Sequence, residues 1–163
     1  MLVVVQMALA LLSADSPAPP VTASGWAAGP GAKVMLSEAG ERVYELDCSG
    51  AELVVTQFGV THLLDLEKNQ PVGDAEGTTL PAGAAVMALA TDKVEPNLVG
   101  ASAVRNARTG WDMTIRLSKS DPALLSLPKS KYVSLFTTGF TRAMELDRAD
   151  RKLLATFVGQ CRQ

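Results

Sequence analysis

From Lys33 onward apolar and polar residues alternate in short runs, the period of strands with one face in a core and the other in water. The clearest run is "WDMTIRL", where Trp111, Met113, Ile115 and Leu117 fall on one face and Asp112, Thr114 and Arg116 on the other. Similar runs are "KVML" (Lys33 to Leu36), "RVYELDC" (Arg42 to Cys48), "ELVVTQF" (Glu52 to Phe58) and "VTHLLDL" (Val60 to Leu66). "AAVMALA" (Ala84 to Ala90), "LVGASAV" (Leu98 to Val104) and "KYVSLFT" (Lys131 to Thr137) complete the set. The turns "SEAGE", "CSGAE" and "ARTGW" place glycine where the backbone must reverse, so neighbouring strands pair as hairpins. Connections this short exclude the parallel crossover, which takes a dozen residues or more. The pattern predicts a mainly β fold, an antiparallel β-sandwich or barrel of about eight strands. The longest irregular stretch, Glu67 to Gly83, reads as the most mobile surface and as a place for a binding loop.

The period changes near the C-terminus. In "SDPALLSL", Asp121 suits an N-cap and Pro122 the first helical position, which predicts a short helical turn. After Asp147, a second N-cap, Leu153, Leu154, Phe157, Val158 and Cys161 recur at helical spacing and predict a C-terminal α-helix with one apolar face. That face carries one of the chain's two cysteines. The other, Cys48, ends a strand on the same face as Tyr44 and Leu46, so a Cys48–Cys161 disulfide would pin the helix to the sheet. The alternative is two unrelated buried thiols.

The N-terminus follows other rules. Met1 to Leu12 is apolar except for Gln6, and small or turn-forming residues follow. A run of this length falls short of the roughly 20 residues of a membrane span and suits the core of a secretory signal. No Lys or Arg precedes it, and a buried first strand is the alternative, since Val3 to Val5 favour β structure. The segment "DSPAPPVTASGWAAGPG" is poor in large apolar residues, with Trp26 its one anchor. The expected organisation is a signal peptide over 1–14, a flexible linker over 15–31 and a single β-rich domain over 32–163. No transmembrane segment is left after signal cleavage, and an even cysteine count suits the oxidising periplasm or the extracellular medium.

Composition changes the picture only by exclusion. The 163 residues are 47% hydrophobic and 20% charged with a net charge of -2, an ordinary globular balance without the basic patch that nucleic acid requires. The small cluster "RNAR" (Arg105 to Arg108) reads as a solvated turn. With one histidine and two cysteines the usual zinc ligand sets cannot be assembled, and no cofactor motif occurs. His62 and Asp65, three apart in an expected strand, would point to opposite faces, which argues against a Ser-His-Asp site. A Ser-x-x-Lys string occurs at Ser126 to Lys129, the spacing that puts an amine one helical turn from a hydroxyl, but Pro128 interrupts that turn.

The second half of the chain, with "DPALLSL", a strand and a final helix ending "FVGQC", resembles small exported bacterial β-domain proteins of unassigned activity. That resemblance implies no site residues. The stretch "YELDCSGAELVV" also resembles the first strands of envelope lysozyme inhibitors, although here the spacing is Tyr44-x-x-x-Cys48 and the chain closes on a helix. These readings lead to an expectation of a periplasmic or secreted, non-enzymatic domain that binds a protein or envelope component. The alternatives are an inhibitor that inserts the Glu67 to Gly83 or Arg105 to Gly110 loop into a secreted or envelope hydrolase, and a small hydrolase using Ser126 and Lys129.

Overall fold

The computed structural model describes residues 25–66, 68–73, 77–106, 110–137 and 140–163, so the expected signal peptide and the first part of the expected linker lie outside the described residues. In chain order the strands are β1 (Gly25–Ala28), β2 (Lys33–Glu38), β3 (Glu41–Asp47), β4 (Leu53–Val60), β5 (Leu64–Asp65) and β6 (Gln70–Pro71). They continue as β7 (Thr79–Thr91), β8 (Val99–Asn106), β9 (Gly110–Leu117), β10 (Tyr132–Thr137) and β11 (Phe140–Glu145). The helices are α1 (Pro122–Ser126), followed by a 3-10 turn at Leu127–Lys129, and α2 (Arg148–Cys161). Among the described residues a nine-stranded sheet runs in the order β1-β2-β3-β4-β9-β8-β7-β10-β11 and curls into a half-barrel; β5 and β6 form a separate small ladder. Every neighbouring pair in the large sheet is antiparallel, in keeping with the hairpin signals.

The hydrophobic core lies on the concave face. Trp111, Met113, Ile115 and Leu117 of β9 are all buried, as their alternation requires, and meet Leu53 and Val55 of β4 and Ala101 and Ala103 of β8. Across the curl stand Met87 and Leu89 of β7 and Val133 and Leu135 of β10. One end is covered by α1, the 3-10 turn and α2, whose Leu154, Phe157, Val158 and Cys161 form the buried stripe. Both caps have the expected chemistry: the Asp121 carboxylate accepts from the Ala123 amide, and Asp147 forms a reciprocal capping box with Asp150. Cys48 and Cys161 are bonded, with Cα atoms 5.2 Å apart.

Four local expectations are corrected. Residues 25–28, placed in the linker, form β1: its backbone ladders with β2, and the Trp26 ring lies 6.3 Å from that of Tyr44. Its other side chains are exposed, which hides the strand from any pattern of burial. The run Val60 to Leu66 is not a continuous strand. Gly59 has φ +72° and the β4–β9 register breaks between Gln57 and Val60, so the chain turns off the sheet and leaves His62 exposed in a connection. Here Gly110 lies so close that a Cβ would meet the Val60 carbonyl oxygen at 2.6 Å. The stretch read as irregular up to Gly83 contains the start of β7, because Pro81 and Gly83 sit at a break in the β7–β8 register, where a strand tolerates a missing donor. Finally, β11 was not expected. Its inner face, Phe140, Arg142 and Met144, is only half-buried and has a cation in the middle.

Candidate functional site

The residues singled out for chemistry are not brought together. His62 is exposed, whereas Asp65 is buried and accepts from the Lys68 amide at 3.1 Å while its other oxygen lies 3.2 Å from the Lys68 ammonium. The Ser126 hydroxyl donates to the Ala123 carbonyl and lies 2.8 Å from the Thr91 hydroxyl. Lys129 is exposed at the end of the 3-10 turn, and no hydrogen bond joins it to Ser126. The local cause is Pro128, which falls in the tightened turn that follows α1. Among the described residues, no three His, Cys, Asp or Glu side chains form a group that could hold a metal ion. The loops 67–83 and 105–110 lie partly outside the described residues.

What the fold does assemble is a seam where the two ends of the curled sheet approach each other. From one side come β1, β2 and β3, whose Trp26, Leu36 and Tyr44 stand abreast through the pairs Trp26↔Leu36 and Leu36↔Tyr44. From the other comes β11. The Tyr44 hydroxyl crosses the seam and donates to the Arg142 carbonyl, and the Arg142 guanidinium lies 3.7 Å from Glu38 and 5.9 Å from the centre of the Phe140 ring. Tyr44 is 1% exposed, and burial pushes its phenol well above the usual tyrosine range, so it is the neutral form that donates. A bulge makes this possible: the β2–β3 register shifts between Leu36 and Ser37, and Val43 and Tyr44 are both buried.

The seam holds two recesses, one on either side of the Tyr44–Arg142 contact. The smaller, about 210 Å³, lies among Glu38, Glu41, Arg42, Phe58 and Arg142, and there the Arg42 guanidinium sits 5.4 Å from the Phe58 ring centre. The larger, about 480 Å³, has a floor of Trp26, Leu36 and Met144 and a rim of Glu145, Asp147 and Asp150. The indole Nε1 of Trp26 is buried and has no hydrogen-bond partner among the described residues. Asp147 and Asp150 are held by backbone amides of the α2 cap. The rim therefore has a fixed negative sign beside an apolar floor.

Farther along the sheet a network of opposite character is closed on itself. Lys33 on β2 lies 2.8 Å from Glu45 and 3.1 Å from Asp47 on β3. The hydrogen bonds to Glu45 and then Asp47 raise the Lys33 ammonium above its ordinary value. Burial works against ionisation of Asp47, but hydrogen bonds from Ser49 and Lys33 outweigh it and hold the carboxyl below its ordinary value. Each charge here is answered by another, so this cluster supports structure.

Sequence reasoning placed Trp26 as a docking anchor and Tyr44 on the face of Cys48, but it missed β11 and so could not place the seam. The available signal was the alternation Phe140, Arg142, Met144 in "FTRAME", broken by one charged residue. No family model, curated protein or solved structure matches this chain.

Proposed function

We propose that this protein is an extracytoplasmic binding domain, periplasmic or secreted and without catalysis of its own, whose ligand is a protein or envelope component. The observation that carries the reading is the seam: a sheet whose two end strands each have one strand neighbour among the described residues, beside a recess that combines an apolar floor with three acidic side chains. The engaged Ser126 hydroxyl and the exposed, isolated His62 support a binding role over a hydrolytic one. The Cys48–Cys161 bond supports an oxidising compartment, and no helix among the described residues is long and apolar enough to cross a membrane.

The test is made in the host, with the full chain and a photo-reactive amino acid at Met144. The expected result is recovery from the envelope or medium, shortened at the N-terminus and oxidised, with a discrete cross-linked adduct that a probe placed at exposed Leu98 does not give. A full-length, reduced chain in the cytosol overturns the compartment. Labelling by a serine-reactive probe that Ser126→Ala abolishes overturns the non-enzymatic role.

A further inference from the structure

An antiparallel sheet closes into a barrel only with an even number of strands, because each neighbour reverses direction. Among the described residues the large sheet has nine strands and every ladder is antiparallel, so β1 and β11, at its two ends, run in the same direction. They cannot complete the barrel by joining antiparallel to each other. One further strand, running opposite to both, is antiparallel to each, and the 480 Å³ recess lies between Gly25 and Trp26 of β1 and Met144 and Glu145 of β11. This size falls in the range of about 300–1,000 Å³ typical of ligand sites.

The edge of β11 is open to such an addition. Natural sheets blunt their edges with lysine, proline or charged side chains turned inward. Of these devices β11 carries one, Arg142 on its inner face, whose charge is directed to Glu38; it has no lysine and no proline. The Leu146 amide donates to the Lys131 carbonyl, so strand alternation turns the backbone groups of Arg142 and Met144 toward β10 and those of Ala143 and Glu145 to the outer edge of β11. Among the described residues none of Glu145, Asp147 and Asp150 forms an ion pair.

From these features we infer that the recess takes an extended segment of a protein partner as an added strand, antiparallel to β11. Its apolar side chains alternate onto Trp26, Leu36 and Met144, and a lysine or arginine faces Glu145, Asp147 and Asp150. This inference rests on the binding reading above and names its ligand class. Main-chain hydrogen bonds supply affinity in such an arrangement, while the floor and rim supply selection.

The experiment uses the oxidised full-length domain and synthetic peptides of about eight residues, the length of a strand. One peptide alternates valine with lysine, a second replaces lysine with glutamate, and a third carries a central proline. Binding is followed by calorimetry and by amide-exchange protection at Ala143, whose amide faces the outer edge of β11. The expected result is saturable binding of the lysine peptide, slower exchange at Ala143, and no binding of the proline peptide. Glu145→Lys, an exposed change at the end of β11, weakens the lysine peptide about tenfold and strengthens the glutamate peptide by a similar factor. Equal binding of the proline peptide, indifference to the charge exchange, or no binding to the folded domain each overturns the inference. So does a dimer that buries Met144 and is not displaced by peptide, since a second copy then fills the groove. Those results leave the location and in-cell cross-linking of the protein untouched, and it is on these that the broader reading stands or falls.

Discussion

Removing the Cys48–Cys161 bond is expected to be the most damaging change of a few atoms in this molecule. The bond joins residues 113 apart in sequence, spanning most of the domain. In the chain-entropy model, a loop of this length removes about 16 cal/mol/K from the unfolded ensemble, or about 4.8 kcal/mol near room temperature. The Cα separation of 5.2 Å sits inside the usual range of about 4.4–6.8 Å, so the backbone need not shift to make the bond. At a few degrees per kcal/mol for a domain of this size, the melting midpoint should fall by roughly 10–20 °C.

The assay compares urea unfolding of the oxidised protein with that of the Cys48→Ala/Cys161→Ala double variant and of the reduced wild type, with the thiol state read by mass. Both sulfur positions are buried, at 2% and 1% exposure, so the alanine pair also loses a little packing and the reduced protein isolates the cross-link. A cross-linked unfolded chain exposes less surface, so the denaturant slope should steepen when the bond is absent. Helix α2 should stay docked in the native state, because Leu154, Phe157 and Val158 remain buried without the bond. Loss of less than about 1 kcal/mol on verified reduction would refute the loop-closure reasoning. So would selective loss of amide protection in α2 at unchanged global stability, which would make the bond a local tether.

Three other outcomes follow from single features. Gln57 is 0% exposed and neither amide atom has a partner among the described residues, so Gln57→Met, nearly equal in shape, should raise stability by about 1–3 kcal/mol in chemical denaturation; a loss of similar size would show that the amide is satisfied. Gly110→Ala combines φ +113° with a Cβ 2.6 Å from the Val60 carbonyl oxygen and should cost about 2 kcal/mol or more, whereas a change within a few tenths would contradict the close approach of β4 and β9. For pH, Asp47 is held below its ordinary value, so its stabilisation is present above about pH 4 and is lost as pH falls through the lowered folded value. Lys33 is raised, by hydrogen bonds to Glu45 and Asp47, and Tyr44 by burial, so their stabilisation is present below about pH 10 and is lost as pH rises toward their folded values. Thermal midpoints across pH should show a plateau between these limits, and Asp47→Asn and Lys33→Met should flatten the acid and alkaline limbs respectively; unchanged limbs would remove these groups as the cause.

Much of the architecture was legible in the chain because burial writes itself as periodicity. Trp111 to Leu117 alternates since β9 has a partner on each side and one face in the core, and Leu154 to Cys161 repeats at helical spacing since α2 lies along the end of the same core. Even the disulfide could be placed, because both cysteines end apolar stripes. The unread strands of the large sheet were β1 and β11. Among the described residues each has a neighbour on one side only, and each has a half-solvated face, so ladder bonds rather than side-chain burial hold it, and ladder bonds leave little trace in residue type. The seam contact itself joins Tyr44 and Arg142, 98 residues apart, and becomes visible only once the sheet has curled. The same physics explains why the candidate site was the hardest part to read. An edge strand that is half-buried, blunted only by Arg142 and paired on one side among the described residues is weakly encoded by its own fold, and those are the properties that suit it to an added strand. A strongly patterned β11 would have been easy to recognise and would already have had its faces covered.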